Sequence, residues 1–115
     1  MNWNNLSTEA QLNTIKAESF EQPVLIFKHS TTCSISATAL NRFERKYNQT
    51  EVANLKPYFL DLLAHRPISA EIAQRFGVRH ESPQILLIHN GKSVYDASHY
   101  DISFAELKEK LAVGV

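Results

Sequence analysis

The sequence predicts an α/β fold in which a central four-stranded mixed sheet is flanked by helices, in the order α-β-α-β-α-β-β-α. Short continuous apolar runs, typical of strands buried on both faces, alternate with segments whose apolar residues follow a helical period. A strand, a helix and a second strand joined by short connections imply a parallel pair with a right-handed crossover. Near the end, Asn90 and Gly91 separate apolar runs at residues 85–88 and 94–95, which favours a tight antiparallel hairpin.

The composition is that of one globular domain, which we predict to span residues 1–115. Of the 115 residues, 43% are hydrophobic, which suffices for one buried core. Lys plus Arg and Asp plus Glu each total 12, so the chain lacks the positive bias that attracts nucleic acid or anionic lipid. The stretch MNWNNLSTEA does not resemble a secretory signal, and no apolar run approaches the length of a membrane span. We therefore expect a cytoplasmic protein that binds neither nucleic acid nor membrane.

The first half of the chain predicts a peripheral helix, a strand and a second helix. The first helix is capped by Ser7 or Thr8 and runs to about residue 20. The apolar run at residues 24–27 predicts a strand buried on both faces. A helix over residues 33–48 follows, because apolar side chains recur every four positions along it. This stripe consists of Ile35, Ala39, Phe43 and Tyr47.

The second half predicts the remaining strands and helices. An apolar strand begins at Pro57, and a third helix is capped by Ser69. Gly77 is expected to end that helix in a left-handed turn. After the hairpin, Ser103 opens a final helix that runs to about residue 111.

The stretch KHSTTCSIS contains the only cysteine of the chain, Cys33, where the first strand gives way to the second helix. One cysteine cannot form an internal disulfide, and it fits a compartment that keeps thiols reduced. If Thr31 or Thr32 caps the helix, Cys33 lies in its first turn, where free N–H groups and the helix dipole favour a thiolate. Lys28 and His29, just upstream, could add positive potential. We therefore predict that Cys33 is a reactive nucleophile rather than a small buried hydrophobic residue.

Ser36 stands three residues after Cys33, where a Cys-x-x-Cys enzyme has its second thiol. One helical turn brings the Ser36 hydroxyl near the sulfur, to which it can donate a hydrogen bond. A hydroxyl cannot form a disulfide, so only a thiol from outside the chain can release a product bound to Cys33. The sequence therefore predicts a monothiol exchange cycle.

The stretch ESPQILLI supplies a second candidate site. A proline at the mouth of an apolar strand, after a serine, is where a cis peptide bond exposes the backbone of Ser82 for pairing with an extended substrate. We therefore predict that the bond before Pro83 is cis. His80 is expected to lie near Cys33 and to tune it, although a solvated loop histidine is the alternative.

The element order, KHSTTCSIS and FGVRHESPQILLIHNGK together resemble the thioredoxin superfamily, and more narrowly the YtxJ family of monothiol bacilliredoxins, also called BrxC. The resemblance implies a thioredoxin-like fold and a thiol-disulfide oxidoreductase. It makes Cys33 the attacking thiol, Ser36 the replacement for a resolving cysteine and Pro83 the cis-proline. The residue after the cysteine is Ser34 rather than the family's frequent proline, a departure that we expect to change helix rigidity and the cysteine pKa.

The same resemblance implies the substrate and the partners. The substrate is a protein cysteine capped by bacillithiol, and the reaction removes the cap. Bacillithiol is then a co-substrate, no cofactor is bound, and a small thiol or an external reductase regenerates the thiol. The residues that we assign to substrate binding surround Cys33 and the proline loop; they are Thr31, Thr32, Ser34, Ser82 and His80.

Other functions fit parts of the pattern. A binding or thiol-sensing module without redox turnover would keep the same fold and groove. Monothiol glutaredoxins that carry an iron–sulfur cluster resemble Cys-Gly-Phe-Ser at this site, but CSIS lacks the glycine. The five histidines suggest a metal, but His29 ends a strand and no ligand set has a familiar spacing, so we predict no metal site. A cysteine hydrolase would need an oriented base and an oxyanion site, for which the chain has no recognisable motif.

Overall fold

The structure, a computed structural model, describes residues 1–113. Its five-stranded sheet has the order β1-β3-β2-β4-β5. The strands are β1 Asn4–Asn5, β2 Val24–His29, β3 Lys56–Asp61, β4 Gln84–His89 and β5 Lys92–Ser98. The helices are α1 Ala10–Glu18, α2 Ser34–Lys46, α3 Arg66–Phe76 and α4 Phe104–Ala112, and short 3-10 turns lie at Gln49–Val52 and His99–Asp101. The predicted α/β class is therefore confirmed, although the sheet has a strand more than predicted.

The additional strand, β1, is a short edge strand. It pairs in parallel with β3, where Asn4 lies opposite Tyr58. Its two residues are both asparagine, so they give no apolar alternation from which a strand could be predicted. The central strand β2 is parallel to β3 and antiparallel to β4, which confirms the crossover through α2.

Two hydrophobic cores lie on opposite faces of the sheet, because successive strand side chains point to opposite sides. On one face, strand residues such as Ile26, Leu60 and Leu86 pack with residues of α1 and α3. On the other face, the packing joins the strands to α2 and α4, and it includes Phe27 and Phe43. None of the helices within residues 1–113 is both long enough and apolar enough to cross a membrane.

Side chains bond to the backbone at the starts of the first and last helices, although the N-cap residue of α1 is Glu9, which makes no capping hydrogen bond, and not the predicted Ser7 or Thr8. Before α1, Oγ1 of Thr8 accepts a hydrogen bond from the N–H of Gln11 at 3.3 Å, and Oε1 of Gln11 accepts one from the N–H of Thr8 at 3.0 Å. Oγ of Ser103 accepts a hydrogen bond from the N–H of Glu106 at 3.3 Å, so the predicted cap of α4 is confirmed.

The third helix begins earlier than predicted. It starts at Arg66, with His65 at the N-cap position and a proline in the first turn, so Ser69 lies inside the helix and the predicted cap is wrong. The end of the helix is as predicted, because Gly77 has a left-handed φ of 65°. The hairpin is also confirmed: the φ angles of Asn90 and Gly91 are 53° and 77°, as a tight turn between antiparallel strands requires.

Candidate functional site

Cys33 is the N-cap residue of α2 and has extended backbone angles of φ −104° and ψ 120°. Its N–H donates a hydrogen bond to the carbonyl of Ser30 at 3.2 Å, and its carbonyl accepts one from the N–H of Ala37 at 3.0 Å. The predicted caps at Thr31 and Thr32 are wrong, because both are exposed residues of the preceding turn. Cys33 itself is a half-exposed free thiol that makes no capping hydrogen bond. Cys33 is therefore partly exposed at the N-terminal end of α2.

Ser36, in the first turn of α2, is fully buried, with 0% of its surface exposed. Its Oγ is hydrogen-bonded to Nδ1 of His29 at 2.7 Å and accepts a hydrogen bond from the N–H of Ser30 at 3.0 Å. We expected this hydroxyl to donate a hydrogen bond to the sulfur of Cys33, but its hydrogen bonds are to His29 and Ser30 instead. The cause is the rotation of α2, in which Ser36 takes the buried position that we assigned to Ile35, whose side chain is 39% exposed.

His29 ends β2 and lies inside the molecule beside the ring of Phe59, with 5.6 Å between the ring centroids. Burial lowers the pKa of His29 from its ordinary value of 6.5, and the negative charges of Asp61 and Glu44 oppose the shift. The ring is therefore neutral at pH 7 and does not supply the positive potential that we expected near the sulfur. Its hydrogen bond with Ser36 instead joins the end of β2 to the first turn of α2 and so positions the intervening turn.

The Ser82–Pro83 peptide bond is cis, as predicted. Lys28 lies opposite Gln84 in the antiparallel pairing of β2 and β4. The residues that follow Lys28 and those that precede Gln84 therefore leave the sheet at the same edge. The turn before Cys33 and the loop that contains Pro83 both lie at this edge.

The loop before the cis bond is held by Gln84, of which only 1% is exposed. The Gln84 side chain donates a hydrogen bond from Nε2 to the carbonyl of Arg79 at 3.0 Å. Its Oε1 accepts a hydrogen bond from the N–H of Glu81 at 3.4 Å. The buried side-chain amide of Gln84 thus holds the backbone of residues 79–81 in place.

His80 projects from this loop toward α3. Its Nδ1 is hydrogen-bonded to Oγ of Ser69 at 3.2 Å. Burial lowers the pKa of His80 and the positive charge of Lys28 lowers it further, while Glu81 opposes both effects. No hydrogen bond joins His80 to Cys33 in the part of the chain that the structure describes. The expected tuning of the sulfur by His80 stays a prediction.

The other residues that we assign to substrate binding occupy accessible positions at this edge. Thr31, Thr32 and Ser34 are exposed on either side of Cys33. Ser82 is half-exposed, but its Oγ is buried and has no hydrogen-bond partner in residues 1–113. Their roles in binding stay predictions.

The sequence reasoning missed two buried polar residues, Lys28 and Gln84. Lys28 was interpreted as a source of positive potential near Cys33, whereas its side chain is fully buried in β2. The available signal was its spacing, since Val24, Ile26 and Lys28 alternate onto one face of the strand. Within residues 1–113, no three His, Cys, Asp or Glu side chains are grouped so that they could hold a metal ion.

This fold, with a partly exposed free cysteine at a helix start and a cis-proline at the same sheet edge, defines a thioredoxin-fold protein. A solved structure described as a candidate oxidoreductase with a thioredoxin fold is 33% identical, covers 91% of this chain and 89% of that chain, and superposes with a TM-score of 0.77. Thioredoxins at 17% identity share the fold: the Malassezia sympodialis protein Mala s 13 has a TM-score of 0.71, with 97% of this chain and 90% of that chain covered. The Fasciola hepatica thioredoxin has a TM-score of 0.70, with 97% and 99% covered.

The family follows from the sequence match. The family described as monothiol bacilliredoxin BrxC matches residues 4–107. The chain therefore belongs to the monothiol bacilliredoxin BrxC family, as the resemblance predicted. This membership and the oxidoreductase relative support a thiol redox role.

Proposed function

We propose that the protein removes bacillithiol from protein mixed disulfides by thiol–disulfide exchange at Cys33. The observation that carries the proposal is a half-exposed thiol at the N-cap of α2, at the same sheet edge as the cis bond before Pro83. The sequence contains no second cysteine, so the cycle has to be monothiol. Membership of the BrxC family supports bacillithiol as the small thiol. Because such a cycle needs a reducing compartment, we propose that the protein acts in the cytoplasm.

In the first step, the thiolate of Cys33 attacks the bacillithiol sulfur of the mixed disulfide. A disulfide between Cys33 and bacillithiol forms as the original S–S bond breaks. The client cysteine leaves as a thiolate and takes a proton from water, so the client is reduced and Cys33 is oxidised. The position of a resolving thiol is occupied by Ser36, whose hydroxyl is bound to His29. A small thiol or a reductase therefore attacks the adduct, which restores Cys33 and carries bacillithiol away as a new disulfide.

The surrounding residues have binding roles in this proposal. The client segment lies extended along the backbone of Ser82, next to the cis bond. The exposed hydroxyls of Thr31, Thr32 and Ser34 flank the sulfur and are available to polar groups of either substrate. No bound cofactor takes part, because the exchange transfers electrons directly between sulfurs.

Intact mass spectrometry tests the proposal. Reduced protein is mixed with a peptide whose cysteine is capped by bacillithiol. We expect one bacillithiol adduct on Cys33 for each peptide thiol released, and reaction at the background rate in Cys33→Ser. Thr38→Ala, which changes an exposed residue further along α2, is the matched control and keeps the reaction.

Two outcomes would contradict the proposal. If Cys33→Ser still releases the peptide thiol, Cys33 is not the nucleophile. A wild-type protein that binds the capped peptide without releasing its thiol would favour a binding or sensing module instead.

A further inference from the structure

Lys28 occupies a position in β2 where the strand pattern calls for an aliphatic side chain. It shares a face of the sheet with Ile26 and lies between Leu60 of β3 and Gln84 of β4. Its exposed fraction is 0%, and residues of α3 such as Ile72 help to cover this face. A long cationic side chain is therefore enclosed at the end of β2, a few residues before Cys33.

The ammonium group of Lys28 has no hydrogen-bond partner in residues 1–113. The acid whose charge acts on it most clearly is Glu81, which raises its pKa. The carboxylate of Glu81, however, lies 3.9 Å from Nε of Arg79 and 3.7 Å from Nε2 of His99. Burying an ammonium without a direct partner is unfavourable, so a site that retains one is suited to an anion from outside the chain.

A second polar atom at the same edge also lacks a partner. Oγ of Ser82 is buried and makes no hydrogen bond within the described residues 1–113. Ser82 is two residues before Gln84, the sheet neighbour of Lys28. The ammonium is thus an unused donor on β2, and the hydroxyl is an unused donor in the loop at residues 79–82 before β4, which has no regular secondary structure.

The charge state of Lys28 fits such a role. Burial lowers its pKa to about 8, so the amine is mostly protonated at pH 7. Three N–H donors are then available, and a carboxylate accepts charge-assisted hydrogen bonds from such a group.

We propose that Lys28 and Ser82 form a subsite for an anionic group, a carboxylate, of the small thiol that becomes joined to Cys33. This inference rests on the proposed function and specifies the substrate class as an anionic low-molecular-weight thiol. When the Cys33 thiolate attacks the sulfur of that thiol, the client cysteine leaves as a thiolate and the carboxylate stays on the adduct. Lys28 acts by positioning the small thiol, and it takes no part in the electron transfer.

The experiment compares two mixed disulfides of one neutral cysteine peptide. The first carries 3-mercaptopropionate, and the second carries 3-mercaptopropionamide, which has a similar shape and no charge. The peptide thiolate leaves in both cases, and each rate is divided by the rate at which 2-mercaptoethanol attacks the same probe. With the adduct on Cys33 measured by intact mass, we expect wild-type protein to prefer the carboxylate probe by about tenfold, as one charge-assisted hydrogen bond allows.

Variants identify the residues responsible. Lys28→Met keeps the length of the side chain and removes the charge, so the preference should fall to about one while the rate with the amide probe is retained. Ser82→Ala should reduce the preference severalfold. Glu81→Gln removes a charge from the same loop but leaves Lys28, and it should show a preference at least as large as that of wild type.

Each alternative result has a defined meaning. Equal normalised rates for the two probes in wild-type protein would overturn the subsite, whether or not Lys28→Met folds. An unchanged preference in folded Lys28→Met would overturn it as well. A third probe has a glutamate beside the peptide cysteine and carries the neutral amide cap. If Lys28 increases the rate with this probe instead, Lys28 binds the client and the proposed subsite is wrong. If neither probe reacts with Cys33, the proposed function itself fails.

Discussion

At the scale of single residues, the site combines an accessible sulfur with polar side chains that face inward. The hydroxyl of Ser36 and the ring of His29 bind each other on the α2 side of the sheet. Lys28, the residue before His29, points to the opposite face. Two adjacent strand residues therefore carry polar groups into both cores just before the chain reaches Cys33.

Replacing Lys28 by methionine should stabilise the protein at neutral pH. Burial lowers the pKa of Lys28 from 10.5 to about 8, which corresponds to roughly 3 kcal/mol of unfavourable free energy for the charged amine in the folded state. We expect Lys28→Met to raise the free energy of unfolding at pH 7 by about 1–3 kcal/mol, measured by urea denaturation.

The sign of the pH dependence follows from the lowered pKa. Between about pH 8 and 10.5 the folded amine is neutral while the unfolded chain still binds the proton, so the stability of the wild type rises over this range. The advantage of Lys28→Met should therefore shrink as pH increases from 8. Lys92→Met, at an exposed position of β5, is the control and should show neither effect. A methionine variant that is less stable than wild type at pH 7 would mean that the ammonium has a stabilising partner.

At the scale of secondary-structure elements, the first turn of α2 determines the type of redox cycle. Ser36→Cys places a thiol one helical turn after Cys33, the geometry of a Cys-x-x-Cys site. We expect a disulfide adduct on Cys33 to be resolved from within the chain, so its lifetime in intact-mass measurements without added thiol should fall at least about tenfold.

The control for this variant is Thr38→Cys, which adds a thiol at an exposed position of the same helix, further from Cys33. The adduct should persist there as in wild type. An equally persistent adduct in Ser36→Cys would mean that the first turn holds position 36 away from the sulfur, as the hydroxyl of Ser36 is held by His29.

The elements predicted most accurately are those set by local chemistry. Gly77 and the Asn90-Gly91 pair adopt positive φ because their sequences make that conformation accessible, and Ser103 caps α4 through a hydroxyl three residues from its donor. The cap of α3 was predicted at the wrong residue, because the helix begins at Arg66 after His65. Ser69 lies inside the helix, where its hydroxyl is hydrogen-bonded to His80.

Long-range packing explains the parts of the site that the sequence did not predict. The place of Cys33 at the start of α2 could be anticipated from its immediate neighbours, although it is the N-cap residue and not a residue of the first turn. The side on which Ser36 is buried depends on the rotation of α2 against the sheet, and a spacing of four residues cannot distinguish Ser36 from Ile35. The burial of Lys28 depends on Leu60 and Gln84, which are distant in sequence.

At the scale of the whole molecule, the segment before α1 completes the core beneath α2. The ring of Trp3 lies 5.7 Å from that of Phe27, 6.3 Å from that of Phe43 and 5.7 Å from that of Phe59, measured between centroids. Its Nε1 donates a hydrogen bond to Oε2 of Glu44 at 2.7 Å. One side chain of the N-terminal segment therefore joins β2, β3 and α2.

Removing this side chain should destabilise the protein substantially. Trp3→Ala is expected to lower the free energy of unfolding by about 2–3 kcal/mol, less than for a fully buried aromatic ring because Trp3 is half-exposed. Phe20→Ala is the control: this ring is 59% exposed, and its loss should change stability by less than about 1 kcal/mol. Urea denaturation followed by circular dichroism measures both, and equal losses would contradict the role of the N-terminal segment.

Trp3 is the only tryptophan of the chain, and it contacts Phe43 on the helix whose first turn follows Cys33. Its intrinsic fluorescence therefore reports on the packing of α2 without an added dye. Emission recorded as Cys33 gains and loses a small thiol would reveal directly whether the redox state of the sulfur is transmitted along the helix into the interior.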